Sequence, residues 1–373
     1  MEIIFFILIV VYAVFILQLF FGFNKIKDQS ISKEYTPKTN FTIVVPFRNE
    51  AKNLSKLLAS LSNLNYPKNF IEIIMIDDDS KDNSSAVFIK WRMKNDEIDT
   101  TLLENLRLSN SPKKDAISRA MPIAKNPWII TTDADCEVNP NWLSSIDGFI
   151  QKNSFEMIAA PVIYKTKNNW FHHFQQFEML SLQATTIGSF GINQPFMCNG
   201  ANFAYTKKMF LELDGFEDNN KIASGDDVFL LQKAIAKCSD KVGFLKAQNA
   251  IVITKPENNL FKLLMQRIRW ASKTSNYNSF YPKFLASSVF FANAFIAFGL
   301  IALFFGKLDW KLFLILFLIK YSIDYLLILK ANSFFNTNKI AIPFASAILY
   351  PFFATTVGVF SLFGKFTWKG RRF

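Results

Sequence analysis

Trp128-Ile129-Ile130-Thr131-Thr132-Asp133-Ala134-Asp135-Cys136 is the stretch on which the reading of this chain turns. A short apolar and β-branched run, of the length of a buried strand, empties into two carboxylates spaced i, i+2. In open α/β sheets, ligands bind in the crevice outside the carboxyl ends of the strands. Asp133 and Asp135 at such a point offer hard oxygens to Mg²⁺ or Mn²⁺ and leave coordination positions for phosphate. Asp-x-Asp also occurs in solvated loops, so its neighbours decide its meaning.

Two further strand ends carry polar groups. Phe41 to Pro46 is a β-branched run that ends in Pro46-Phe47-Arg48-Asn49-Glu50, and Ile71 to Ile76 ends in Asp77-Asp78-Asp79-Ser80-Lys81-Asp82. Leu54, Leu57, Leu58 and Leu61 have helical spacing within Glu50 to Leu64, and Leu102 to Leu108 reads as a weaker third strand. Strands alternating with helices predict an α/β domain with a mostly parallel sheet covered on both faces. Its strand ends then share one crevice. A single acid in the 77–79 cluster would suit a helix start, whereas three adjacent acids repel unless a cation or hydrogen-bond donors offset them. Beyond residue 140 the pattern is mixed, with a helix over Trp170 to Thr186, a turn at Asn199-Gly200 and a helix after Asp227.

Composition points to a membrane. The chain has 373 residues, half of them apolar and 42 of them Phe, with a formal charge of +12. Residues 1–23 are nearly uninterrupted apolar positions, enough helix to cross a hydrocarbon layer of about 30 Å, with no charged n-region or cleavage site. They read as a retained anchor, with Lys25 and Lys27 keeping the adjoining domain in the cytoplasm. Residues 24–40 read as a linker, 41–256 as the catalytic domain, 257–283 as an amphipathic interfacial segment, and 284–373 as a membrane region of two or three spans with a basic tail. Apolar stretches cover about 284–306, 310–330 and 340–364. Lys311, Lys320 and Asp324 argue that the middle one lies along an interface. Cys136, Cys198 and Cys238 have no metal spacing and read as reduced thiols, and the absence of a long basic stripe argues against nucleic acid.

Taken in order, the strand end at Pro46 to Glu50, Asp77-Asp78, Lys113 to Ala116, Asp133-Ala134-Asp135, Gly225-Asp226-Asp227 and Gln266-Arg267-Ile268-Arg269-Trp270 resemble the family-2 glycosyltransferases, over roughly residues 40–275. This is the group that includes ceramide glucosyltransferase-like enzymes and polysaccharide synthases. The resemblance implies a GT-A fold and a nucleotide-sugar donor. It implies that Pro46, Glu50, Asp78, Lys113, Asp133, Gln266, Arg269 and Trp270 line the donor and acceptor sites: Asp78 at the base, Lys113 at the nucleotide, Arg269 at the diphosphate, Trp270 at the acceptor. Asp133 and Asp135 would support the metal-bound diphosphate, and Asp227, beside Asp226, would be the general base. An N-cap on the helix beyond them is the structural reading of the same two acids. Asp79 departs from the family's usual Gly and puts the shape of that turn in question.

Charge chemistry agrees with this set. Expelling a nucleoside diphosphate builds negative charge that a divalent cation stabilises, and Lys113, Lys114, Arg267 and Arg269 would add positive field; for Lys114 a solvated helix start is the rival reading. His172 and His173 read as packing or interfacial residues. The expectation is an inverting, Mg²⁺- or Mn²⁺-dependent glycosyltransferase, multi-pass in the cell (inner) membrane with its catalytic domain cytoplasmic, acting on a membrane lipid or amphiphilic glycan. A processive polysaccharide synthase and a catalytically inactive membrane-docking nucleotide-binding protein are the alternatives. Four crossings would put the tail lysines and arginines Lys365, Lys369, Arg371 and Arg372 outside, so one segment is expected not to cross.

Overall fold

The computed structural model describes residues 2–32, 34–219, 222, 224–277, 279–337, 343–363, 367–368 and 371–372. Along the chain come α1 (Glu2–Lys25), β1 (Phe41–Phe47), α2 (Ala51–Ser62), β2 (Ile71–Asp77), α3 (Ser84–Arg92), β3 (Asp99–Glu104), α4 (Pro112–Ala120), β4 (Trp128–Thr131) and α5 (Trp142–Ile150). They are followed by β5 (Met157–Ala159), β6 (Val162–Tyr164), α6 (Trp170–Gly191), β7 (Phe203–Thr206), α7 (Lys207–Glu212), α8 (Asp226–Cys238), β8 (Val242–Phe244) and β9 (Val252–Thr254). Four helices follow, α9 (Leu260–Ala271), α10 (Phe280–Phe304), α11 (Trp310–Phe335) and α12 (Pro343–Ser361), and then two short antiparallel strands, β10 (Thr367–Trp368) and β11 (Arg371–Arg372). Two compact units result. One holds Lys27–Lys165 and Met197–Lys255; the other holds Met1–Ile26, Thr166–Phe196 and Pro256–Phe373.

The first unit is built on a seven-stranded sheet in the order β3-β2-β1-β4-β7-β5-β8. β1 pairs in parallel with β2 and β4, β2 with β3, and β5 with β8, while β7 runs antiparallel to both β4 and β5. Strands buried on both faces need continuous apolar runs, which is what β1, β2 and β4 supply. Phe41, Ile43 and Val45 pack in one core with Leu54, Leu57, Leu58 and Leu61 of α2 and Trp142, Leu143 and Ile146 of α5. The third strand is Asp99–Glu104 and not Leu102 to Leu108, because its register follows β2, with Glu72 opposite Asp99 and Asp77 opposite Glu104. Leu106 and Leu108 are left exposed beyond it.

The chain leaves β1 toward β2 and β3, then returns to β4 on the other side of β1. This reversal is a switch point, where ligands enter open sheets. Pairing of β1 with β4 stops at Val44 and Thr131, whereas pairing with β2 runs on to Phe47 and Asp77. Pro46 therefore lies past the β4 ladder, where its missing N–H leaves no bond with β4 unmade. The segment read as a linker is held against this unit: Asp147 of α5 accepts hydrogen bonds from the Tyr35 and Tyr66 hydroxyls, the Lys38 N–H and Thr39 Oγ1 at 2.6–3.0 Å.

In the second unit, α1 and α6 approach backbone to backbone. A Cβ added at Gly22 would stand 2.2 Å from the Gly188 carbonyl oxygen, and one at Gly191 would stand 1.8 Å from that of Gly22. Small residues that admit such approach are characteristic of helix pairs in membranes. By length and composition, Ile3–Lys25, Phe280–Phe304 and Trp310–Phe335 could each cross a membrane, and Ala345–Ser361 is a shorter apolar helix. Lys320 and Asp324 pair across one turn at 2.7 Å, and Tyr12 of α1 donates to the same carboxylate. Of the basic tail, Lys365, Lys369 and the terminal Phe373 lie outside the described residues. His172 Nδ1 accepts the Lys167 N–H at 3.0 Å, a local structural bond.

Candidate active site

Asp77, Asp78 and Asp79 leave β2 together, and each has its own partners. Asp77 accepts the Ser80 N–H at 2.8 Å and the Ser85 hydroxyl at 2.5 Å. Asp78 is buried and takes Asn105 Nδ2 at 3.0 Å and Arg107 Nε at 3.1 Å on one oxygen. Asp79 pairs with Lys81 at 2.6 Å and Arg48 at 3.1 Å, and those hydrogen bonds hold its carboxyl below the usual range. Donors from the protein thus offset the repulsion among the three acids. Asp79 sits at φ +62°, the left-handed region that Gly fills most easily and that Asp tolerates. The turn therefore keeps a glycine-like shape, and Arg48 clamps it by donating to the Asp78 and Asp79 carbonyls at 2.6 and 2.9 Å.

Asn105 carries the contacts across to α4: its Nδ2 also donates to the Pro112 carbonyl at 3.0 Å. Lys113, on the first turn of α4, then reaches Asp133 at 2.7 Å and Asp226 at 3.2 Å. Burial opposes its charge, but Asp133, Asp226 and Asp227 outweigh that and hold Lys113 well above the ordinary lysine value. Beneath the ammonium lies Gly200, where a Cβ would come within 3.0 Å of Asp226 Oδ2 and 3.1 Å of Lys113 Nζ. The Gly200 turn is fixed from behind by Asn202, whose side chain bonds Trp142 Nε1 and the carbonyls of Pro161 and Ala250.

Asp227 opens α8. Its Oδ2 accepts the Gly200 N–H at 2.8 Å and its Oδ1 the Val228 N–H at 2.7 Å. The Val228 bond belongs to the helix start, and the Gly200 bond ties that start to the turn under Lys113. Pro46 and Glu50 lie on the β1 side of the crevice; Glu50 is at the N-cap of α2 and accepts Asn53 Nδ2 at 2.6 Å.

Lys114 belongs elsewhere than either sequence reading placed it. It is buried, donates to the carbonyls of Asn219 and Ile222 at 2.7 and 3.1 Å, and lies over the Phe229 ring, so it pins a loop. The charge of Arg267 is likewise spent within the protein. It is buried in a forked pair with Glu178 at 2.8 and 2.9 Å. Gln266, Arg269 and Trp270 lie on α9 of the other unit.

Asp133 and Asp135 are oxygen donors only, and among the described residues no three Asp, Glu, His or Cys side chains converge to enclose an ion. This donor set fits a hard divalent cation that completes its shell with phosphate oxygens and water, as Mg²⁺ does. Sequence reasoning missed Gly200, Asn105 and Arg107. The Asn-Gly turn was visible as a turn, but nothing local marks it as the floor under Lys113.

The family model described as glycosyl transferase family group 2 matches residues 128–359, and that of glycosyl transferase family 2 matches residues 42–213. The chain belongs to the family-2 glycosyltransferases. Beta-monoglucosyldiacylglycerol synthase of Trichormus variabilis is 25% identical over 156 residues, 40% of this chain and 33% of that protein. The matching part of this chain thus spans about a third of that relative's length. Glycosyltransferase AglE of Haloferax volcanii is 20% identical over 199 residues, 52% of this chain and 60% of that protein. Among solved structures, mannosyltransferase PcManGT from Pyrobaculum calidifontis, in complex with GDP-Man and Mn²⁺, superposes with a TM-score of 0.61 at 16% identity, covering 97% of this chain and 99% of that one. That likeness establishes the GT-A-type fold.

Proposed function

We propose that the chain is a membrane-anchored glycosyltransferase that moves a sugar from a nucleotide-sugar donor to a lipid or amphiphilic glycan, with inversion at the anomeric carbon. The observation that carries this reading is Lys113 held between Asp133 and Asp226 over Gly200, with Asp227 beside it. Three acids around one lysine at a strand-end crevice suit a divalent cation that carries a diphosphate better than a structural role, because a structural pair needs only one acid. Asp78 faces the base and Lys113 the nucleotide. Asp133 and Asp135 would hold Mg²⁺ or Mn²⁺, which supplies electrostatic stabilisation of the leaving diphosphate. Asp227 takes the proton of the acceptor hydroxyl as its oxygen bonds the anomeric carbon, and the bond from that carbon to the diphosphate oxygen breaks with its electron pair leaving on the nucleotide. One displacement by one base inverts configuration.

Relatives support the substrate classes. PcManGT was solved with GDP-Man and Mn²⁺, and the Trichormus protein is named for a glucosyldiacylglycerol product. Residues 41–256 carry the chemistry, 1–23 and 284–373 the membrane segments, 24–40 the connection and 257–283 the acceptor-side flank. We place the catalytic face in the cytoplasm, the side that the charge rule favours for the flanking Lys25 and Lys27. Membranes containing the protein are incubated with radiolabelled nucleotide sugars, with Mn²⁺ or with chelator, and then extracted for lipid. A single labelled lipid that depends on the divalent cation supports the reading. A polymer ladder would make the protein a processive synthase, and nucleotide binding without transfer or donor hydrolysis over the panel would make it an inactive binder.

A further inference from the structure

Within α9, Arg267 and Trp270 lie three residues apart on one helix face, and the guanidinium stands 4.4 Å from the centroid of the indole ring. Arg267 has little freedom to stand anywhere else. Glu178 of α6 takes Nε at 2.9 Å and one terminal nitrogen at 2.8 Å in a fork, and Gln266 Oε1 accepts from the other terminal nitrogen. Gln266 in turn donates to Glu257 at 3.1 Å, and Glu257 exchanges backbone hydrogen bonds with the Gln175 side chain at 2.7 and 2.9 Å. The guanidinium plane is therefore held at all three of its nitrogens by two partners, and one of its faces lies against Trp270. Glu178 and Arg267 side chains are 7% and 3% exposed.

A buried ion pair is a weak device for stability alone, since well-packed apolar residues of the same size commonly do as well or better. What a fork offers that packing does not is orientation. We infer that Arg267, clamped by Glu178, is a positioning residue that sets the plane of the Trp270 indole for the acceptor. This rests on the proposed acceptor role of Trp270. Neither Glu178 nor Arg267 needs to touch a substrate.

The test uses the full chain in lipid nanodiscs. Lysine keeps the charge opposite Glu178 but cannot fork or stack as a plane, so Arg267→Lys removes the orientation and retains the pair. Near-ultraviolet circular dichroism of the wild type minus that of Trp270→Phe gives the signal of a fixed Trp270 ring. The same difference, Arg267→Lys minus Arg267→Lys/Trp270→Phe, is expected to collapse. Kinetics with UDP-glucose and GDP-mannose as donors, and vesicles of total lipid extract as acceptor, are expected to show the lipid KM raised about tenfold with donor KM unchanged, as a modest misplacement gives. An unchanged Trp270 signal overturns the inference, as does a collapsed signal with every kinetic constant intact. A collapsed signal with a raised donor KM and an unchanged lipid KM upholds the positioning and instead overturns the acceptor role of Trp270. If neither donor turns over, these two sugars are not the substrate and the dichroism alone decides the positioning. Should Arg267→Lys fail to accumulate, Glu178→Gln/Arg267→Met removes both charges together and is measured in the same way.

Discussion

Asp227 holds two backbone N–H groups on its two oxygens, and an amide in its place keeps an acceptor for only one of them and none for an incoming proton. Asp227→Asn is expected to bind nucleoside diphosphate within a few-fold of wild type by calorimetry and to lose transfer by roughly 10²–10⁴. Weakened nucleotide binding at an undiminished maximal rate would move Asp227 to donor recognition. Asp135 is a half-buried loop residue after β4, between the core residues Ala134 and Cys136, and its side chain is not part of the apolar core, so Asp135→Ala should leave the domain folded, within about 1–2 kcal/mol of wild type in a melting experiment, while abolishing Mn²⁺-supported transfer. Wild-type turnover and Mn²⁺ dependence in that variant would end the metal assignment. Gly200→Ala places a methyl against Asp226 and Lys113, and turnover should fall about tenfold for a destabilisation of about 1–3 kcal/mol. Equal loss of turnover in an Ala substitution at the exposed Lys81 would show that the crevice merely responds to any change. The acids were legible because each ends an apolar run. Lys114 and Arg267 were not, because their partners, the carbonyls at 219 and 222 and the Glu178 carboxylate, lie far off in sequence.

At the scale of elements, composition read residues 24–40 as free linker, rich as they are in Lys, Ser, Asn and Thr. It could not show that Asp147, on a helix more than a hundred residues away, takes five donors, four of them from 35–66 and one from Gln151. Burial pushes this carboxyl up, but hydrogen bonds from Thr39, Tyr35, the Lys38 N–H and Gln151 outweigh it and hold the value below the ordinary one. A depressed folded value gives stability that is present above the unfolded carboxylate range and is lost as pH falls through the folded value. Asp147→Asn should therefore cost roughly 2–4 kcal/mol at neutral pH, and its deficit against wild type should shrink as melting is followed down from about pH 5 to pH 3. A deficit constant with pH would mean that shape and not charge secures the linker. Strand existence was readable from β-branched runs, whereas the limits of β3 were not, because β2 sets them.

For the whole molecule, counting apolar stretches gave four candidate crossings, and the described residues hold three helices long and apolar enough to cross, one of them α11 with its Lys320–Asp324 pair. We predict three crossings, by α1, α10 and α11, which would keep Lys25, Lys27 and the basic C-terminal residues on one side, as the charge rule prefers. In a cysteine-depleted variant, Lys307→Cys between α10 and α11 should react with a membrane-impermeant thiol reagent in intact cells. Thr337→Cys, after α11, should react only once cells are permeabilised; the reverse pattern would invert the orientation. The antiparallel strand β7 has a consequence of another kind, for the order in which the protein is made. β7 occupies the place between β4 and β5, yet both of those strands leave the ribosome first, and residues 166–196, which belong to the other compact unit, are synthesised before β7 appears. Until then β4 and β5 each present an unpaired edge, the state in which nascent sheets associate wrongly. Completion of the sheet thus waits on a segment destined for a different part of the molecule, and a fragment ending at Lys165 would keep both edges open for good.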